Sequence, residues 1–148
     1  VSNTREQSRK VVEDYIKARR ARDRAALEKL VDVEAVTFNY PSALPYPSTW
    51  VGLSGMDELI AAQAAAWSVR SAETVGLYAD DDIAVLEVRM SLVPTGESTA
   101  VDVAVLEKYV IRDDRIVSMT AFYDDPTLGG HEARPPHHPD DKAQPGDR

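Results

Sequence analysis

Apolar positions change period along the chain, and the changes mark its elements. Over residues 5–22, Val11, Val12, Tyr15, Ile16 and Ala18 recur at helical spacing on one face. Asp23 stands where an N-cap should and opens a second, short helix through Leu27 and Leu30. VEAVTFNY (33–40) is β-rich and ends at Pro41. A third helix is predicted from the capping-box shape of Ser54-Gly-Met-Asp57 to about Val69, with Leu59, Ile60, Gln63, Ala66 and Trp67 as its stripe. From there the period falls to two. Strands are expected over Ala72–Ala79, Ile83–Val93, Ser98–Ile111 and Arg115–Tyr123, divided by turns at Asp80-Asp-Asp82, Pro94-Thr-Gly96 and Asp113-Asp114.

Two segments break the pattern. TFNYPSALPYPSTW (Thr37–Trp50) starts as a strand, then places three prolines within seven residues while keeping four aromatic side chains. So much apolar surface in a loop implies that the loop covers something. GGHEARPPHHPDDKAQPGDR (129–148) has four prolines and almost nothing to bury, so the chain divides into a domain over 1–128 and a polar tail over 129–148. All three histidines, His131, His137 and His138, lie in that tail, where adjacent histidines between prolines preorganise no metal site.

Composition narrows the function. At 148 residues, 43% apolar and 28% charged, the chain is expected to be one soluble domain with a real core. No apolar run reaches the length of a membrane span, and the polar start VSNTREQSRK has no apolar leader core, so a cytoplasmic location is expected. Without cysteine there are neither disulfides nor thiolate metal sites. A net charge of -8 lacks the basic face that nucleic-acid binding needs. No cofactor and no metal are implied.

Three helices followed by a long curved antiparallel sheet predict a cone-shaped α+β roll, open at one end. The order and several phrases resemble the nuclear transport factor 2-like superfamily, in particular its ketosteroid isomerase-like and SnoaL-like polyketide cyclase members. The phrases are VVEDYIKARRARDRAALEKLVDVEAVTFN (11–39), Gly55 at the third helix, LEVRM (86–90) and DRIVSMTAFYDD (114–125), and the likeness covers about residues 8–128. It implies three helices packed on a strongly curved mixed or antiparallel sheet that encloses an apolar pocket. It also carries the family expectation of a homodimer through the outer face of the sheet.

The resemblance implies three catalytic positions. Tyr15 matches the tyrosine that donates to a developing enolate; as an ordinary core tyrosine it would instead need its hydroxyl satisfied nearby. Glu107 shares one strand face with Val101, Val103, Val105, Tyr109 and Ile111, where a lone carboxyl is costly to bury charged. It matches the isomerases' protonated aspartate, and burial should raise its pKa likewise. The alternative is a salt bridge to Arg19, one helical turn after Tyr15. Asn39 stands where the isomerases carry their base, and an amide cannot take a proton from carbon. It is left to orient a carbonyl or hydroxyl, or simply to open the proline loop.

The substrate-binding surface implied by the same likeness is mostly apolar. It comprises Ala84, Leu86, Val88 and Met90 from one strand and Val105 and Tyr109 from the next. Met119, Ala121 and Tyr123 come from the last strand, Gln63 and Trp67 from the third helix. Arg19 and Phe38 join it, with Tyr40, Tyr46 and Trp50 of the proline-stiffened loop as a cover over the mouth. Limonene-epoxide hydrolase-like members also resemble the Pro94-Thr-Gly96 hairpin and Asn39. Their water-activating Arg and two Asp, however, fall here on Leu86, Val88 and Ala121, which argues against epoxide hydrolysis. The leading expectation is a cofactor-independent cyclase that closes a ring in an apolar, polyketide-type intermediate of secondary metabolism such as antibiotic biosynthesis. Closure would be aldol- or cycloaddition-like, in a shaped pocket. The alternatives are an isomerase or dehydratase (a lyase) with Glu107 as base, and a non-catalytic small-molecule-binding or assembly module of the same fold.

Overall fold

The computed structural model describes residues 3–128; the tail over 129–148 and its histidines lie outside the described residues. The elements run α1 (Arg5–Ala21), α2 (Arg24–Leu30), β1 (Thr37–Asn39), β2 (Thr49–Val51), α3 (Gly52–Ala66), β3 (Trp67–Ala79), β4 (Ile83–Pro94), β5 (Val101–Arg112) and β6 (Arg115–Tyr123). Three helices pack on one six-stranded sheet of order β2-β1-β6-β5-β4-β3 that does not close on itself. β1 runs parallel to β6 and all other pairings are antiparallel, so the sheet is mixed. Among the described residues no helix is long and apolar enough to cross a membrane.

The first helix is closed at both ends by its own sequence. Thr4 and Gln7 form a reciprocal capping box, and Arg22 ends the helix in the left-handed region at φ 55°. Val11, Val12, Tyr15 and Ala18 are its buried face. Asn3 anchors the start of the helix to the hairpins: its amide donates to the Ile111 carbonyl at 3.0 Å and accepts from the Asp114 backbone at 3.2 Å. The Ser8 hydroxyl donates to the Asp81 carbonyl.

Strand parity decides what faces the helices. Opposed residues share a face, so the register links Leu86, Glu107 and Ala121 in one row across β4, β5 and β6. The next row links Ala84, Tyr109, Met119, Phe38 and Trp50. A bulge between Val110 and Ile111 is absorbed on the β6 side by one extra residue, so β5 keeps strict alternation. Two further irregularities in β3, at Val69/Ser71 and Thr74/Gly76, bend its long hairpin with β4. Asp113 and Asp114 both take positive φ, 51° and 63°, the geometry of a tight hairpin turn matched to strand twist.

Several expected boundaries shift, each for a physical reason. The β-rich run 33–40 forms a strand only over Thr37–Asn39. Residues 33–36 turn instead, and their carbonyls accept from the start of α3: Leu53 N–H donates to Val33 at 2.8 Å and Gly52 N–H to Val36 at 2.7 Å. These bonds replace the expected capping box at Ser54, and α3 begins two residues earlier with no side-chain cap. The helix also stops at Ala66, so Trp67 is the first residue of β3 and not part of the helix stripe. Ile60, expected on that stripe, is 39% exposed. β5 starts at Val101, and part of the proline loop pairs as β2.

Gly52 carries this junction. Its φ is 77°, and an added Cβ would lie 3.2 Å from the Glu34 carbonyl oxygen. Gly52→Ala is expected to lose about 2 kcal/mol or more, and Ser54→Ala less than about 0.5 kcal/mol. Denaturant unfolding of the two variants checks this; the opposite ranking would restore the capping box as the helix start.

Candidate functional site

The inner face of the sheet is apolar except along one line of polar groups. Glu107 is only half-buried by area, yet it points into the concave side between Leu86 and Ala121, which are 4% and 3% exposed. Arg19, Tyr40, Tyr46, Gln63, Val88, Met90 and Tyr123 have the same half-buried character.

Tyr109, two residues on and on the same face, donates its hydroxyl to Glu107 Oε1 at 2.5 Å. Tyr15 from α1 meets the Tyr109 ring edge-on at 5.7 Å between centroids. Arg19, one turn further along α1, donates from Nη1 to the Tyr15 hydroxyl at 3.0 Å. Among the described residues the Tyr15 hydroxyl has only the Met56 thioether, at 3.8 Å, as an acceptor for its own proton. Sulfur accepts weakly, so that donor is available to a stronger acceptor.

A second polar group continues the line toward the loop. Gln63 Nε2 donates to the Tyr46 hydroxyl at 3.3 Å, and Tyr46 and Tyr123 lie close enough to bias each other's ionisation. Five of the six tyrosines thus line one interior, and only Tyr78, 57% exposed, stands outside.

Burial dominates the electrostatics. It raises the Glu107 carboxyl above its ordinary value, while the Tyr109 hydrogen bond and the Arg19 charge pull the other way. Burial likewise raises Tyr15, Tyr40, Tyr109 and Tyr123, so these phenols remain neutral donors near pH 7. Burial opposes the Arg19 charge, the hydrogen bond with Tyr15 favours it, and the guanidinium stays protonated.

The structure therefore brings Tyr15, Arg19, Tyr109 and Glu107 together, as the sequence suggested, and adds Tyr40. It separates Asn39 from them. Asn39 pairs with Thr120 on the outer parity of the sheet, donates to the Met119 carbonyl at 3.2 Å and accepts from Thr49 Oγ1 at 3.3 Å. Its amide fastens β1 to β6 and β2. The reason is parity: with Phe38 inward, the next inward residue is Tyr40, which interacts with both Glu107 and Arg19. Arg19 forms no ion pair with Glu107. Phe38, Leu86, Val105 and Met119 are fully packed core residues, whereas Val88 and Met90 keep some accessible surface.

The proline loop covers protein as well as space. Tyr46 packs edge-on against Tyr40 at 5.8 Å and Trp50 at 6.2 Å, and against Trp67 at 5.7 Å. The Trp50 indole donates to the Pro47 carbonyl at 2.7 Å, and Leu44 is buried beneath the loop. Where the chain leaves β1, an open cleft of about 320 Å³ is lined by Tyr40, Pro41, Thr120, Ala121, Phe122, Tyr123 and Pro126. Tyr40 and Tyr123, on its wall, are the two cleft residues that also interact with Glu107.

A carboxyl with a raised folded-state pKa holds its proton more tightly folded than unfolded. The contribution of Glu107 to stability is therefore fully present below the ordinary value of 4.5 and is lost as pH rises through the window above it. Glu107→Gln, which keeps an oxygen for the Tyr109 donor, is expected to raise Tm at pH 7, with the gain shrinking toward pH 4. Thermal melts across that range test the sign. A pH-independent loss would mean that Glu107 is held as a structural anion.

The SnoaL-like domain family model matches residues 12–119. Among solved structures, the chain is similar to an NTF2-like protein from Burkholderia xenovorans, with a TM-score of 0.73 and 14% identity, covering 84% of this chain and 93% of that one. A Mesorhizobium loti protein assigned to the SnoaL-like polyketide cyclases gives 0.63 and 16%, covering 77% and 97%. A Mycobacterium tuberculosis LEH-like epoxide hydrolase gives 0.57 and 14%, covering 80% and 84%. No curated protein matches the chain in sequence. At such identities the likeness to solved structures speaks for the fold alone.

Proposed function

The chain belongs to the SnoaL-like domain family, and from that premise we propose a cofactor-independent cyclase or isomerase that works on an apolar carbonyl compound through an enolate. One observation carries this reading: a single carboxyl on an apolar concave face, held at 2.5 Å by Tyr109, with the Arg19-bound Tyr15 hydroxyl beside Tyr109.

In that arrangement Glu107 takes a proton from the carbon next to a substrate carbonyl. The carbonyl oxygen gains the charge and accepts from the Tyr15 hydroxyl, which Arg19 polarises. If the enolate carbon attacks a second carbonyl of the same chain, a carbon–carbon bond forms, and the Glu107 proton goes to the resulting alkoxide. If the proton returns at another carbon instead, the product is an isomer. The apolar surface of Val88 and Met90 supports a folded, polyketide-type substrate of secondary metabolism, an expectation the Mesorhizobium protein's description parallels. Leu86, Val88 and Ala121 supply no charge where epoxide hydrolases of this fold place their water-activating set, which weighs against epoxide hydrolysis. A homodimer in the cytoplasm accompanies this reading. Leu106 and Phe122 pair on the outer face of the sheet and are 44% and 53% exposed, as a shared surface would require.

Exchange of the α-protons of 2-tetralone in D2O, followed by NMR, tests proton abstraction without knowledge of the natural substrate. The protein should accelerate exchange, Glu107→Gln should remove roughly 100-fold or more of the acceleration, and Tyr15→Phe roughly 10–1,000-fold while keeping the fold. No acceleration by the wild-type chain would set the enolate reading aside. Ring closure by confinement alone, cycloaddition-like and insensitive to pH, or a binding role without catalysis would then stand.

A further inference from the structure

We propose, building on the reading of this interior as a substrate pocket though not on its reaction, that the ligand carries a carboxylate which docks on Arg19.

Of the cations of α1, Arg20 donates to the exposed Thr74 hydroxyl at 3.3 Å. Arg9 and Lys10 reach exposed carboxylates one turn on, Glu13 at 3.6 Å and Asp14 at 3.2 Å. Arg19 alone among the helix's cations turns toward the tyrosines, and among the described residues no carboxylate lies within ion-pair distance of it. Its guanidinium has five donors in a planar fork, and among the described residues the one hydrogen bond it makes is to the Tyr15 hydroxyl. Its carbon also lies 5.9 Å from the Tyr15 ring centre. Tyr15, Tyr40 and Tyr109 are the phenols near enough to act on its charge, and its other donors have no protein acceptor among the described residues.

A half-buried cation without an anion is costly. The cost is tolerable when a ligand supplies the counter-charge, because the fork accepts both oxygens of a carboxylate at once. Glu107 does not fill that role: it makes no ion pair with Arg19 and accepts from Tyr109 instead. The groups an entering anion meets are therefore one guanidinium, neutral phenols and the Glu107 carboxyl. An apolar body with a carboxylate at one end would lie with its charge on Arg19 and its carbon chain toward Val88 and Met90.

Calorimetric titration of the full chain at pH 7 with 2-naphthoate and 2-naphthamide isolates the charge, since the two share an apolar body. Naphthoate should bind about 10- to 100-fold tighter. The preference should fall to about one in Arg19→Gln, survive in part in Arg19→Lys, and grow in Glu107→Gln, where a facing carboxyl is removed. Equal affinities for the wild type, a preference unchanged by Arg19→Gln, or no binding of either probe would overturn the proposal. Because nothing turns over here, its failure is separable from failure of the enolate reading, which rests on tetralone exchange.

Discussion

One carboxyl on an apolar concave sheet governs how the interior is furnished. Strand alternation forces Glu107 inward, and its cross-strand neighbours Leu86 and Ala121 offer it nothing polar. An ionised carboxylate there loses its water without gaining an ion pair, so any stable arrangement must supply donors. Tyr109 supplies one from the same strand, and Tyr15 and Arg19 extend the network onto α1. Tyrosine suits this role because its ring packs as core while its hydroxyl donates, and burial keeps it neutral. The fold's central difficulty and its candidate chemistry are the same few atoms.

The loop between β1 and β2 depends on that arrangement from the other side. Its aromatic rings close over Trp67, and Tyr46 accepts from Gln63, so the cover is tied to α3 and to the start of β3. The loop is held at its ends by the sheet pairing of β1 with β2 and by Gly52, which lets the chain turn directly into α3. Part of the aromatic surface that seemed excessive for a loop is thus core. Trp50 lies opposite Phe38 in the register, and Tyr40 lies between cleft and carboxyl.

Period-two alternation made β5 readable from sequence: Val103, Val105, Glu107, Tyr109 and Ile111 share a face in the structure as they do on paper. The Asp113-Asp114 turn, the first two helices and the inward Tyr15 were legible for similarly local reasons. What escaped depended on distant partners. β1 is three residues long, too short for alternation to fix which side Asn39 takes, and its parity is set by pairing with β6. The start of α3 is capped by backbone carbonyls of residues 33 and 36, which leave no side-chain signature. That Arg19 would find a phenol in place of Glu107 is a matter of helix-to-sheet distance, which no spacing rule along one element reveals.

The central claim is that Glu107 is an enclosed carboxyl whose proton affinity is raised by burial beyond what Tyr109 and Arg19 restore. A ¹³C-NMR titration of the Glu107 side-chain carboxyl in the full chain, assigned by comparison with Glu107→Gln, reads that directly. The account predicts a midpoint above the ordinary 4.5 and a simultaneous shift of the Tyr109 ring carbons. A midpoint at or below 4.5, with Tyr109 unaffected, would contradict it.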